Sequence, residues 1–215
     1  YAVIAHRGST FWTPEETESA YRWAREIGAD YLECDMQVSK DGVVLALHDD
    51  NLKRTTNIET VFGETLPREI RKNYYMKIGY SETEAEEKVK ADEANFVPNL
   101  PAYYTYEELL MLDAGSWFNN ENLEEALPGL AKEKQYISTL EDLIMYSKGY
   151  RLIRDRNQPG MPRQYSIVGK TGETITSLSG TADIVKYDFG YEIDPVWEAG
   201  NKNIPGIYIE FKEPW

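Results

Sequence analysis

The chain contains only two histidines, and both stand at the end of an apolar run. Ala2-Val3-Ile4-Ala5 leads into His6-Arg7-Gly8, and Val43-Val44-Leu45-Ala46-Leu47 leads into His48-Asp49-Asp50. An imidazole, with an ordinary pKa of about 6.5, is the side chain suited to moving a proton near neutrality. A single histidine in such a place is usually structural; two of two, flanking a pair of acids, point to a site. The acids lie in Tyr31-Leu32-Glu33-Cys34-Asp35-Met36-Gln37-Val38, which alternates strictly: Glu33 and Asp35 share one strand face, about 6.6 Å apart. The same alternation returns near the far end, where Tyr208, Glu210 and Lys212 oppose Ile207, Ile209 and Phe211.

A solvated strand face would account for the first pattern, and an ordinary exposed ion pair for Glu210 and Lys212. The elements around Glu33 and Asp35 argue otherwise. The run before His6 reads as a strand, and Thr13-Pro14-Glu15-Glu16 as a helix start, with Thr13 capping and Glu16 closing a capping box. Ala20, Trp23, Ala24 and Ile27 form an apolar stripe, and Gly28 stands where a C-terminal cap is expected. Strand, helix, strand with short connections implies a parallel pair, and parallel sheets are covered on both faces. Acids on a covered face need a partner, most simply a cation.

Taken in order, the motifs resemble the glycerophosphodiester phosphodiesterase family. The resemblance rests on Ala-His-Arg-Gly at 5–8, Pro-Glu-Glu-Thr at 14–17, Gly-Ala-Asp-Tyr-Leu-Glu-Cys-Asp-Met at 28–36 and Lys-Asp-Gly at 40–42. It continues through Leu-His-Asp at 47–49, Leu-Lys-Arg-Thr-Thr at 52–56, Leu-Asp-Ala-Gly-Ser-Trp-Phe at 112–118, Ser-Thr-Leu-Glu-Asp-Leu at 138–143 and Ile-Glu-Phe-Lys at 209–212. It implies an α/β fold, a TIM-like (β/α) barrel with its site at the C-terminal strand ends. It further implies that His6 and His48 are the acid/base pair and that Glu33, Asp35 and Glu210 bind a divalent cation. Arg7 would hold the phosphate, and Lys212 would support its charge. The implied reaction, part of lipid and glycerol metabolism, converts a glycerophosphodiester to glycerol 3-phosphate and an alcohol. In the mechanism proposed for the family, the glycerol 2-hydroxyl attacks phosphorus and water opens the resulting cyclic phosphate. Three carboxylates form a hard oxygen site, suited to Ca²⁺ or Mg²⁺.

The chain departs from the family pattern in three places. Glu16 stands where the family usually has Asn. Residues 58–103 read as an insertion between the barrel start at 1–57 and a helical barrel segment at 104–148; it holds an acidic, helix-like stretch from Ser81 to Ala94. Residues 149–204 read as a second insertion, glycine-punctuated and β-rich, before the strand at 205–215. Arg151, Arg154, Arg156 and Arg163 make it locally basic, as surface arginines do.

Two rival functions are weighed beside the hydrolase. One is a phospholipid-cleaving lyase of the sphingomyelinase D type, which shares the paired acids and two histidines. The other is a non-catalytic module that binds a cation or phosphodiester.

Composition bounds the partners. With 23 Lys plus Arg against 37 Asp plus Glu, the net charge of −14 argues against nucleic-acid or anionic-lipid surfaces. No apolar run approaches the roughly 20 residues of a membrane span, and the small-molecule substrate expected is the glycerophosphodiester that the resemblance implies. One Cys excludes an internal disulfide framework. The first residue is Tyr rather than Met, so an exported or periplasmic location, after loss of a signal peptide, is the expectation. Outside the two insertions, too few of the 215 residues remain for a full barrel of about 250. The expected fold is therefore an incomplete, N-terminal barrel portion, completed by a further C-terminal portion or by a second chain; the alternative is a fold other than the family barrel.

Overall fold

Strand β1 (Ile4–Ala5), helix α1 (Glu18–Glu26) and strand β2 (Tyr31–Val38) form a β–α–β unit with β1 and β2 parallel, as the short connections require. The computed structural model describes residues 1–121, 134–152, 165–168, 174–176 and 205–211. Strand β3 (Val44–Ala46) returns antiparallel on the end of β2. Helices α2 (Ile58–Val61), α3 (Arg68–Lys77) and α4 (Glu82–Ala94) follow, then a 3₁₀ turn (Pro101–Tyr103), α5 (Tyr106–Leu109), α6 (Ser116–Glu121) and α7 (Leu140–Ser147). Strands β4 (Tyr150–Leu152), β5 (Tyr165–Val168) and β6 (Thr174–Thr176) make a separate antiparallel sheet, and β7 (Gly206–Phe211) rejoins the first.

β2 is the spine. β7 runs parallel along one edge, while β1 and β3 divide the other. Leu32 to Met36 are all buried, so both faces of the strand are covered. Below lies a core of Tyr21, Ala24, Leu32, Cys34, Met36, Ala46, Leu143 and Tyr146, contributed by α1, β2, β3 and α7. Each large side chain buried there is worth about 1.5–3 kcal/mol. A second core, around Leu45, Leu52, Ile58, Tyr104, Leu109 and Ile137, seats the helices that follow β3. The fold is α/β, an incomplete (β/α) barrel: among the described residues this sheet has four strands and does not close.

Helix α1 starts later than its sequence suggests. Thr17, not Thr13, is the N-cap, accepting from the Ala20 N–H. The Thr13 hydroxyl donates instead to the Ser9 carbonyl, 2.7 Å away. Glu16 has a left-handed φ of 58°, and its N–H donates to the Arg7 carbonyl at 3.0 Å. Long-range bonds have taken the residues expected to begin the helix. The buried face is also rotated: Ala20, Tyr21 and Ala24 are covered, while Ile27 is exposed. Gly28, at φ 92°, does end the helix, with its N–H on the Arg25 carbonyl.

The helices between 58 and 103 are pinned by Arg71, whose side chain is only 1% exposed. Its guanidinium forks onto Glu108 with two bonds of 2.8 Å, donates to the Tyr103 carbonyl at 2.7 Å and bonds Asp92. Lys40, from the turn after β2, also pairs with Asp92, at 2.9 Å. The acidic helix expected from Ser81 is present as α4, capped by a Ser81–Glu84 box.

Candidate active site

The turn after β1 is bent by necessity. Gly8 has φ +87°, and a Cβ there would lie 2.6 Å from the Ala20 Cβ and 2.7 Å from its carbonyl carbon. Only glycine permits this approach of the turn to α1. Arg7 is also left-handed, at φ 56°. That conformation aims its N–H at Glu33 Oε2, 2.7 Å away, and sets its Nε 3.1 Å from Asp35 Oδ2. Its Nη1 lies 3.4 Å from Glu15 Oε1. His6, immediately before, is exposed at the strand tip, near enough for its charge to act on Glu33.

Parallel pairing of β7 with β2 sets Glu210 directly opposite Asp35. Glu33, Asp35 and Glu210 thereby each offer one carboxylate oxygen, all within 4.8 Å of one another. Glu33 is 3% exposed and Asp35 is fully buried, while Glu210 is open to solvent. Burial raises the Glu33 carboxyl above its usual range; the Arg7 N–H pulls it back, and the charges of Asp35 and Glu210 add to the rise. Glu33 Oε1 is buried with no hydrogen-bond partner. Buried acceptors are normally satisfied, so this oxygen points to a missing positive partner. Three hard oxygen donors converging on one point fit a divalent cation such as Ca²⁺ or Mg²⁺.

His48 follows Leu47, whose N–H donates to the Asp35 carbonyl at 2.9 Å. Each histidine is thus one residue from a backbone group bonded to the Glu33/Asp35 pair. His48 Nδ1 lies 2.6 Å from Asp49 Oδ1. A second group, Glu15, His48 and Asp49, also gathers ligand atoms within 4.8 Å. It already holds a cation, because Arg54 donates two hydrogen bonds to each of its carboxylates. Arg54 holds the Asp49 carboxyl down at about 2, helped by His48.

Sequence reasoning missed Glu15, Glu16, Asp49 and Arg54. Glu16 is 4% exposed; its Oε1 accepts from the Asp35 N–H at 2.9 Å, and its Oε2 bonds the Tyr21 hydroxyl. Burial pushes its carboxyl well above the usual range, against the pull of both bonds. Its departure from the Asn usual at this position was the available signal. Lys212 lies outside the described residues, as do Arg154, Arg156 and Arg163, and the side chain of Arg151 is likewise not described.

The chain is 29% identical over 142 residues to a glycerophosphodiester phosphodiesterase of Bacillus subtilis, covering 66% of this chain and 34% of that protein. It is 27% identical over 190 residues to the putative glycerophosphodiester phosphodiesterase YhdW of the same organism, covering 88% and 57%. The chain therefore spans between about a third and somewhat over half the length of these two relatives. Among solved structures, an Oleispira antarctica phosphodiesterase in complex with the product sn-glycerol-3-phosphate matches at 26% identity and a TM-score of 0.41, covering 68% of this chain and 39% of that one. The Glycerophosphoryl diester phosphodiesterase family matches over residues 6–166, which include both histidines, Arg7, Glu33 and Asp35. By the extent of that match, the chain belongs to the glycerophosphoryl diester phosphodiesterase family.

Proposed function

We propose that this chain carries the catalytic face of a cation-dependent phosphodiesterase that converts glycerophosphodiesters to glycerol 3-phosphate and an alcohol. The observation that carries this reading is the β2–β7 register, which gathers Glu33, Asp35 and Glu210 beside Arg7. A divalent cation held by the three carboxylates would offset charge on the phosphoryl oxygens. Arg7, with its side chain 18% exposed, presents a fixed positive charge to the same phosphate. One imidazole takes the proton from the glycerol 2-hydroxyl as it attacks phosphorus, and the other gives a proton to the departing alkoxide. In the second half the roles reverse: water loses a proton, and the 2-oxygen of the cyclic phosphate regains one. Asp49 holds Nδ1 of His48, which supports Nε2 as the atom that exchanges protons. Lys212, two residues after Glu210, would add to the charge facing the phosphate.

The test is release of glycerol 3-phosphate from glycerophosphocholine, with EDTA, Ca²⁺ or Mg²⁺ present in turn. Activity restored by one cation and lost in His48→Ala is expected. Activity indifferent to chelation would remove the carboxylates from the reaction. Cleavage of sphingomyelin or lysophospholipids in preference to glycerophosphocholine would favour the lyase, and cation binding with no turnover a binding module.

A further inference from the structure

The two groups that would act on the phosphodiester from this side, His48 and Arg7, are each held by a carboxylate. His48 Nδ1 lies 2.6 Å from Asp49 Oδ1, and Arg7 Nη1 lies 3.4 Å from Glu15 Oε1. One nitrogen reaches both of those oxygens: Arg54 Nη2 donates to Asp49 Oδ1 at 2.9 Å and to Glu15 Oε1 at 2.6 Å. Arg54 Nε and Nη1 complete the two forks, on Asp49 Oδ2 at 2.6 Å and Glu15 Oε2 at 3.0 Å. A planar guanidinium can satisfy two carboxylates in fixed directions, which an ammonium cannot. Its Cζ sits 5.8 Å from the centre of the Trp117 ring, whose Nε1 is anchored on the Ala114 carbonyl at 3.0 Å. The bridge thus has the Trp117 ring of α6 beside it, while the Arg54 side chain stays 44% exposed.

We propose that Arg54 is a positioning residue that couples the acid/base imidazole of His48 to the phosphate-holding Arg7, by clamping Asp49 and Glu15 together. The role of the two coupled residues rests on the function proposed above; the clamp itself does not. Arg54 keeps Asp49 ionised, so Nδ1 of a neutral His48 carries the proton and Nε2 faces the reaction. The charged groups around His48 are Asp49 and Asp50 on its own loop, Arg54 from the next turn and Glu15 from the segment before α1, with Arg7 beyond. Removing Arg54 leaves Asp49 without its guanidinium and Glu15 with only the 3.4 Å contact to Arg7, so more negative charge faces the imidazole and favours its protonated form.

The test is an NMR titration of the imidazoles in the full chain as wild type, Arg54→Gln and Arg54→Lys, with His6→Asn to assign the two histidines. His48 in Arg54→Gln is expected to titrate about half a unit or more above wild type. Arg54→Lys, which keeps the charge and loses the fork, should shift it less and also serves as the folded variant if Arg54→Gln does not fold. With glycerophosphocholine, kcat should fall about tenfold or more in Arg54→Gln. The pH limb set by His48 should move upward, and KM should rise as Arg7 loosens. An unchanged His48 titration in both variants overturns the clamp, as does an equal loss of kcat in both with an unmoved pH profile. A wild-type chain that releases no glycerol 3-phosphate overturns the proposed function instead, and the NMR titration still decides the clamp.

Discussion

The backbone N–H of Arg7 donates to Glu33 Oε2 across 2.7 Å, which joins the turn after β1 to the acidic face of β2. The bond uses one oxygen of Glu33 and leaves Oε1 buried without a hydrogen-bond partner, in a carboxylate gathered with those of Asp35 and Glu210. A divalent cation there should stabilise the fold, by about 2.7 kcal/mol at a hundredfold excess over Kd. Ca²⁺ or Mg²⁺ should raise the thermal midpoint of the wild-type chain by several degrees and have little effect on Asp35→Asn. Glu15→Gln, in the group already occupied by Arg54, should keep the cation-induced shift; losing it there would move the metal to the wrong cluster.

Glu16 ties the segment before α1 to both β2 and α1 through two buried bonds, from the Asp35 N–H and the Tyr21 hydroxyl. Glu16→Ala leaves both groups unsatisfied, at about 1–3 kcal/mol each. Glu16→Gln keeps an acceptor for the Asp35 N–H and should stay within about 1 kcal/mol of wild type. Urea midpoints measure the difference. Equal destabilisation in the two variants would mean that the carboxylate charge, not the acceptor, matters.

Arg71 and Glu108 are both fully enclosed, with Arg71 held by Glu108, Asp92 and the Tyr103 carbonyl. Arg71→Ala strands a buried carboxylate and should cost about 3–5 kcal/mol, whereas Arg71→Met with Glu108→Gln should cost much less. Hydrogen exchange should report the loss first in α3 and α4. Uniform exchange across the chain would show that these helices do not open separately.

Asp49 sets a pH dependence with a definite sign. Its folded pKa of about 2 lies below its ordinary value of 3.8, so the unfolded chain binds the proton more readily. The stability from its bonds to Arg54 and His48 is therefore fully present above about pH 5 and is lost as pH falls toward 2. With Arg54 substantially exposed, solvent screening limits the contribution to about 1 kcal/mol or less. The gap in thermal midpoint between wild type and Asp49→Asn should close between pH 5 and pH 2. A gap that stays constant across that range would sink the assignment.

The residues of the site were legible because strand alternation shows which side chains share a face. Glu33 with Asp35, and Tyr208 with Glu210, follow from period two alone. The departure at Glu16 was visible too, but its work was not. Local pattern marked residues 13–16 as a helix start, whereas bonds to Arg7, Tyr21 and Asp35 hold them out of the helix. A capping box offers two bonds near the surface; the tertiary alternative satisfies buried groups, whose loss costs more.

From the sequence alone came the faces, the two histidines at strand ends, the first β–α–β unit and the acidic character that argues against nucleic-acid or anionic-lipid surfaces. Tertiary structure decided which of those faces meet. Asp35 and Glu210 come from opposite ends of the chain, and only the β2–β7 register brings them opposite each other. Alternation fixes a side chain's direction within its own strand, but register depends on hydrogen bonds to a distant strand, and a slip of one residue would turn Glu210 to the other face. The Arg54 bridge is of the same kind. Its four bonds join Glu15 to Asp49 across a gap that closes only when the turn after β1 and the loop after β3 pack side by side.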